Sequence, residues 1–267
     1  EEGCFLKRGM MVREYKNMIE DLKKIGVVIL AAGKGTRLNC SEQPKVMLEI
    51  GGKPIVSYVV ETLLNAGFDK TQICLVVGFQ EKKVRDYFGD KVSFVTQTEQ
   101  LGTAHAAFTG IKSLSSNIEN VLVMGGDDSA FYTKETLLNF VKNHIENKNT
   151  LSLLSAEIED PSALGRIIRY PDKSIAIVEK EYLTDEQKKI KEISTGTFCF
   201  DREWFESIFP DMPKMKKLGE WGLPTALAIA RGEGKKYEVI KLGESSEWFG
   251  INTVEELKKA DGLKNNI

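Results

Sequence analysis

The chain reads as an α/β fold, a mixed and mostly parallel sheet with helices on both faces. Two observations predict this. From Gly26 onward, short β-branched runs alternate with segments of helical periodicity. The first apolar run, Val27-Val28-Ile29, leads into a glycine-rich turn, Leu30-Ala31-Ala32-Gly33-Lys34-Gly35-Thr36-Arg37-Leu38. With 42% hydrophobic and 28% charged residues in 267, a sizeable core under an ordinary surface is expected.

Ahead of the first strand, Val12, Tyr15, Ile19 and Leu22 fall at roughly helical spacing among charges. This amphipathic helix would pack on its own domain or make a dimer contact. Strands are then expected at 26–31, 72–77, 92–96, 120–125, 150–157, 175–179, 194–200 and 236–241, with helices at 54–66, 80–88, 103–115, 133–143, 222–231 and 254–263. Between about 158 and 220 charged turns such as Pro171-Asp172-Lys173 and Thr184-Asp185-Glu186 loosen the pattern. The domain reading is an N-terminal extension over 1–24 and one domain over 25–267, with a lobe around 158–235 where a second substrate could sit.

Composition excludes several functions. The net charge of −2 gives no global drive toward nucleic acid or a membrane, so an anionic ligand needs a local site. Cys4, Cys40, Cys74 and Cys199 are scattered without a C-x-x-C pair, and His105 and His144 add little to a ligand count. Neither a disulfide framework nor a zinc site is expected. No apolar stretch approaches a membrane span of roughly 20 residues, and the first residues lack a signal peptide's apolar centre. The expected setting is the cytoplasm. No Ser/His/Asp or Cys/His constellation marks a protein nucleophile.

In open α/β sheets the first βα turn is the usual phosphate site. Gly33 and Gly35 let backbone amides approach a ligand, while Lys34, Arg37 and Lys45 add positive charge. Walker A is excluded because Gly35 follows Gly33-Lys34 and Val28 stands at the earlier glycine position; the dinucleotide fingerprint fails at Leu38. Alone, such a turn is also compatible with a purely structural connection. The longer pattern L-A-A-G-K-G-T-R-L-x5-P-K, closing on Pro44-Lys45, is more specific.

That pattern resembles the signature of nucleotidyltransferases that join a nucleoside triphosphate to a sugar 1-phosphate. Gln97-Thr98-Glu99-Gln100-Leu101-Gly102-Thr103-Ala104-His105-Ala106 is similar to the base-reading segment of bacterial N-acetylglucosamine-1-phosphate uridylyltransferases. The resemblance continues through Glu49-Ile50-Gly51-Gly52-Lys53-Pro54-Ile55, Gly126-Asp127, Gly165-Arg166-Ile167, Ile177-Val178-Glu179, Ser194-Thr195-Gly196 and Gly250-Ile251-Asn252, covering roughly residues 26 to 260.

The resemblance implies a Rossmann-like fold of the nucleotide-diphospho-sugar transferase type and an Mg²⁺-dependent pyrophosphorylase reaction. Its partners would be UTP and a sugar 1-phosphate, N-acetylglucosamine 1-phosphate first, with glucose 1-phosphate or another nucleotide as alternatives. Carried over by position, Leu30, Ala31, Ala32, Gly33, Lys45, Gln97, Gln100, Gly102 and Thr103 would bind the nucleotide. Arg37 and Lys45 would serve the transferred phosphate, Gly165, Glu179 and Ser194 the sugar, and Asp127 and Asn252 the metal. A side-chain amide such as that of Gln97 offers a donor and an acceptor to a uracil edge; it could also simply cap the next helix. Asp127 at a strand end could likewise be a cap. His105 is expected to be a packing residue, and His144 and Asp128 solvated surface groups.

The acceptor side departs from the pattern. Serine stands at 194 where the family has asparagine, and Gly219-Glu220-Trp221-Gly222-Leu223-Pro224-Thr225 replaces a Gly-Glu-Tyr-Tyr-Leu-Thr-Asp segment. Gly126-Asp127-Asp128-Ser129 replaces Gly-Asp-x-Pro. These changes leave the sugar open and permit a non-catalytic sensor of nucleotide sugars as the reading from another class. No hexapeptide repeat follows Asn252, so acetyl transfer and the β-helix trimer of bifunctional relatives are not expected; another homo-oligomer is left open.

Overall fold

The computed structural model describes residues 20–35, 38, 40, 42–216 and 219–265. The expected N-terminal helix lies, up to residue 19, outside the described residues, and so does Arg37.

Eleven strands are present among the described residues: β1 (Ile25–Ala31), β2 (Glu49–Ile50), β3 (Lys53–Pro54), β4 (Ile73–Val77), β5 (Ser93–Thr96), β6 (Asn120–Gly125), β7 (Leu151–Glu157), β8 (Arg166–Arg169), β9 (Ile175–Val178), β10 (Glu192–Asp201) and β11 (Tyr237–Lys241). Seven form the central sheet in the order β11-β7-β10-β6-β1-β4-β5. Every neighbouring pair is parallel except the two made by β10, which runs antiparallel to β6 and β7. The mixed, mostly parallel sheet is therefore as expected. The region expected as a strand at 175–179 lies instead in a separate ribbon, β8 with β9.

The helices are α1 (Ile55–Asn65), α2 (Glu81–Phe88), α3 (Thr103–Ser113), α4 (Lys134–Glu146), α5 (Asp185–Lys188), α6 (Arg202–Ile208), α7 (Pro224–Gly232) and α8 (Val254–Asn265). Side chains on a strand alternate between faces, and β1 shows what this does. Ile25, Val27, Ile29 and Ala31 join a core shared with α1, α2 and α4, whereas Val28 joins the opposite core with α3, α6 and α7. β6 splits in the same way, Leu122 and Met124 to one side, Val121 and Val123 to the other. Both faces are thus covered, as a parallel sheet requires.

The connection that places the site is the reversal at β1. The chain builds β4 and β5 on one side of β1, then crosses to place β6 on the other. The crevice beyond the carboxyl ends of β1 and β6 is a topological switch point, the usual ligand position in open α/β sheets.

Candidate active site

Two adjoining clefts occupy that crevice. The first, of about 290 Å³, opens off the end of β1, where Leu30, Ala32 and Gly33 line it. Ala31 does not: strand alternation turns it into the core, 1% exposed, so this member of the expected nucleotide set sits behind the cleft wall. Gly35 has φ +64°, and a Cβ there would lie 2.7 Å from the Cβ of Lys45. The glycine is needed because the turn crosses the residue that carries the site's ammonium group.

The segment after β5 forms the other wall. Gln97 and Gln100 line the cleft, and Gln100 Nε2 donates to the Ala32 carbonyl at 2.8 Å, tying this segment to the glycine-rich turn. Gly102 has φ +108°, and a Cβ there would come within 2.5 Å of the Trp221 carbonyl. Close approach permits two backbone bonds of 2.8 Å, Trp221 N–H to Leu101 O and Ala104 N–H to Trp221 O. Thr103 Oγ1 accepts the Leu223 N–H at 3.0 Å. The base-side loop and the 220–223 segment therefore behave as one wall. Gln97, Gln100, Gly102 and Thr103 all line the first cleft.

The second cleft, of about 460 Å³, shares Leu30, Thr103, Asp127 and Glu220 with the first. Gly165, Glu179 and Ser194 all line it. Ser194 reaches it because β10 loses regular pairing between Ser194 and Phe198, where Gly196 adopts φ +78°; such irregularities re-aim side chains beside sites. Ser194 Oγ accepts the Gly196 N–H at 3.3 Å. Glu179 is half-buried, and burial with the nearby Glu181 raises its pKa. Met215, Leu223, Pro224 and Trp248 add an apolar wall that sequence reading did not assign. Glu220 was also missed as a lining residue; its signal lay in the retained Gly219-Glu220 pair.

Where the clefts meet, Lys45 Nζ pairs with Asp127 Oδ2 and donates to Asn252 Oδ1 at 3.0 Å. The two expected metal ligands and an expected phosphate ligand converge. Asn252 is held from behind by a capping box at α8. Thr253 Oγ1 accepts the Glu256 N–H at 3.1 Å, and Glu256 Oε2 accepts the N–H groups of Thr253 and Asn252 at 2.8 and 2.6 Å. The donor set suits a hard cation: one carboxylate and one amide oxygen already face a positive charge, leaving other positions to phosphates and water, the usual manner of Mg²⁺. Among the described residues no group of three or more His, Cys, Asp and Glu side chains could hold a metal by itself.

Two expected surface groups lie elsewhere. Asp128 lines the second cleft, held by Ser129 Oγ at 3.1 Å, with its pKa raised by burial and the Asp127 charge. The turn after β6 points it inward over Gly125 rather than to solvent. His144 is 1% exposed, because it occupies the inner face of α4. Its Nδ1 lies 2.9 Å from Ser152 Oγ and its Nε2 3.2 Å from Asn120 Oδ1. Arg37 lies outside the described residues.

The sequence has relatives. Residues 26–261 match the family model described as nucleotidyl transferase. The bifunctional protein GlmU of Streptococcus agalactiae is 36% identical over 226 residues, 84% of this chain and 48% of that protein. GlmU of Symbiobacterium thermophilum is 35% identical over 243 residues, 90% of this chain and 51% of that protein. The chain thus spans about half the length of these curated relatives. The crystal structure of a putative glucose-1-phosphate thymidylyltransferase from Bacillus anthracis shares the fold, with a TM-score of 0.75, 21% identity and coverage of 91% of this chain and 96% of that one. With the family model spanning both clefts and the Lys45–Asp127–Asn252 junction between them, the chain belongs to the nucleotidyl transferase family.

Proposed function

We propose that the chain joins UTP to a sugar 1-phosphate, N-acetylglucosamine 1-phosphate first among the acceptors, releasing a UDP-sugar and pyrophosphate. The observation that carries this reading is the Lys45 ammonium, placed against Asp127 and Asn252 at the junction of a base-sized cleft and a larger acceptor cleft. An oxygen of the sugar phosphate attacks the α-phosphorus, and the bond from that phosphorus to the oxygen bridging it to the β-phosphorus breaks. The attacking oxygen is already ionised, so no protein base is required; positioning and charge neutralisation carry the rate. Mg²⁺ held by Asp127 and Asn252 would neutralise and align the phosphates.

Gln97, Gly102 and Thr103 meet the base, and Gly33 leaves open space for the triphosphate. Lys45 supplies positive charge at the phosphates, and Arg37 is assigned the charge developing on the triphosphate at the transferred phosphorus. Glu179, Asp128 and Glu220 are acceptors for acceptor hydroxyls. Ser194 Oγ already receives one N–H, which favours glucose 1-phosphate as the second acceptor because an acetamide loses an asparagine partner there. Both substrates are small soluble anions, in keeping with a cytoplasmic setting; among the described residues no helix is long and apolar enough to cross a membrane.

The test is pyrophosphate release with Mg²⁺, each of the four nucleoside triphosphates, and a panel of sugar 1-phosphates. Release requiring UTP and one sugar is expected. Nucleotide binding without release for any pair would replace the reading by a non-catalytic sensor.

A further inference from the structure

A side-chain amide offers a base either a donor or an acceptor, depending on which way it is turned. At Gln97 the turn is decided inside the protein. Nε2 lies 3.3 Å from the Gly102 carbonyl oxygen, which can only accept, so the nitrogen must face it. The same Nε2 lies 2.9 Å from His105 Nδ1. Both amide hydrogens are then consumed, and Nδ1 must act as acceptor, with the ring hydrogen on Nε2. No hydrogen bond from a described residue reaches Gln97 Oε1, the atom left for the cleft that Gln97 lines.

His105 is itself held. Its ring stacks on Trp221 at 6.2 Å between centroids and lies 6.3 Å from Phe209, which stacks in turn on Phe108 at 4.2 Å. Trp221 belongs to the segment bonded through its backbone to Leu101 and Ala104. The ring plane, and with it the acceptor lone pair, is therefore set by the packing of α3 against Phe209 and Trp221.

We propose that His105 is a positioning residue for base selection: by accepting from Gln97 Nε2 it holds Oε1 toward the base. An outward oxygen accepts the imide N3–H of uracil or thymine. Cytosine presents a bare acceptor at N3 and meets it with repulsion and an unpaired buried atom. Without the His105 acceptor only the longer contact of 3.3 Å to the Gly102 carbonyl holds the nitrogen inward, and the amide turns over more readily to offer Nε2 to cytosine. The inference rests on the first cleft being a nucleotide site, as proposed above.

The test is the affinity of the full chain for UTP and for CTP, measured by titration calorimetry, with circular-dichroism melting as the check of folding. His105→Phe keeps a ring against Trp221 and Phe209 but removes the acceptor; His105→Leu removes it with less bulk should the larger ring disturb folding. His105→Asn can place Oδ1 where Nδ1 stands. Wild type and His105→Asn are expected to prefer UTP, and the preference is expected to shrink by at least about tenfold in His105→Phe or His105→Leu, with CTP gaining. A preference unchanged in both acceptor-free variants overturns the inference and leaves the nucleotidyl-transfer reading standing. A folded wild type that binds CTP as well as UTP also overturns it, while pyrophosphate release decides the larger reading separately.

Discussion

Lys45 holds the carboxylate of Asp127 and the amide oxygen of Asn252 at once, with its own side chain only 13% exposed. A largely buried ammonium between two accepting oxygens neutralises a corner that also contains Asp128, whose protonation burial and Asp127 already favour. Removing one charge there has opposite effects on stability and on chemistry. In Asp127→Asn the repulsion on Asp128 is relieved, so the melting temperature is expected to hold or rise. Turnover is expected to fall by about 10² or more, because the proposed reaction places this charge at the transferred phosphate and its cation. Steady-state pyrophosphate release and a thermal melt on the same preparation check both; wild-type turnover would remove Asp127 from the site. These residues were legible because each ends a motif, but the contact between them was not.

At the scale of elements, the clearest lever on the site is the capping box that starts α8. Thr253 and Glu256 exchange two hydrogen bonds, and Glu256 Oε2 accepts a third from the Asn252 N–H, so the cap and the candidate metal ligand are one unit. Thr253→Ala is expected to destabilise the fold by about 1 kcal/mol and to raise the Mg²⁺ concentration needed for half-maximal activity while leaving the saturated rate closer to wild type. Urea unfolding and an Mg²⁺ titration check it; an unchanged Mg²⁺ requirement would separate the cap from the site. The same device explains a missed element. The stretch expected as a charged turn at Thr184-Asp185-Glu186 is the start of α5, closed by reciprocal bonds between Thr184 and Gln187. α6 likewise begins at an Asp201 cap whose carboxylate accepts the Trp204 N–H at 2.8 Å. β2 and β3 are two residues each, too short for periodicity to register.

For the whole molecule, the packing of α4 on the sheet carries a pH dependence. His144 is buried neutral: its Nε2–H faces Asn120 Oδ1 and its Nδ1 faces Ser152 Oγ, which also accepts from Asn149 Nδ2 at 3.1 Å. Burial lowers its pKa from 6.5 to about 4. Between these values the unfolded chain binds the proton and the folded chain does not. Stability from this site is therefore intact above about pH 6.5 and falls as pH drops toward about 4, by roughly 1.4 kcal/mol per pH unit and about 3 kcal/mol in all. His144→Gln keeps a polar partner for Asn120 but cannot titrate. Urea unfolding at pH 7 and pH 4.5 is expected to show a smaller loss in the variant than in wild type; equal losses would place the acid sensitivity elsewhere.

What the sequence determined by itself is what near neighbours decide. Alternation of β-branched runs with helical periodicity specified the sheet and the six longer helices, since both periods are local. The glycine-rich turn, the Gln97–Ala106 segment and the positions of Asp127 and Asn252 were legible because turn geometry and motif spacing are written within a few residues. What only the tertiary structure decided depends on residues far apart in the chain. Lys45 meets Asn252 across 207 positions, and Gly102 admits Trp221 across a loop boundary. Strand alternation against two different cores set Ala31 behind the cleft and Ala32 in its wall, and the packing of α4 on the sheet buried His144. The path of the turn after β6, rather than residue type, put Asp128 in the cleft, and the fold brought the Gln97 amide against the His105 ring.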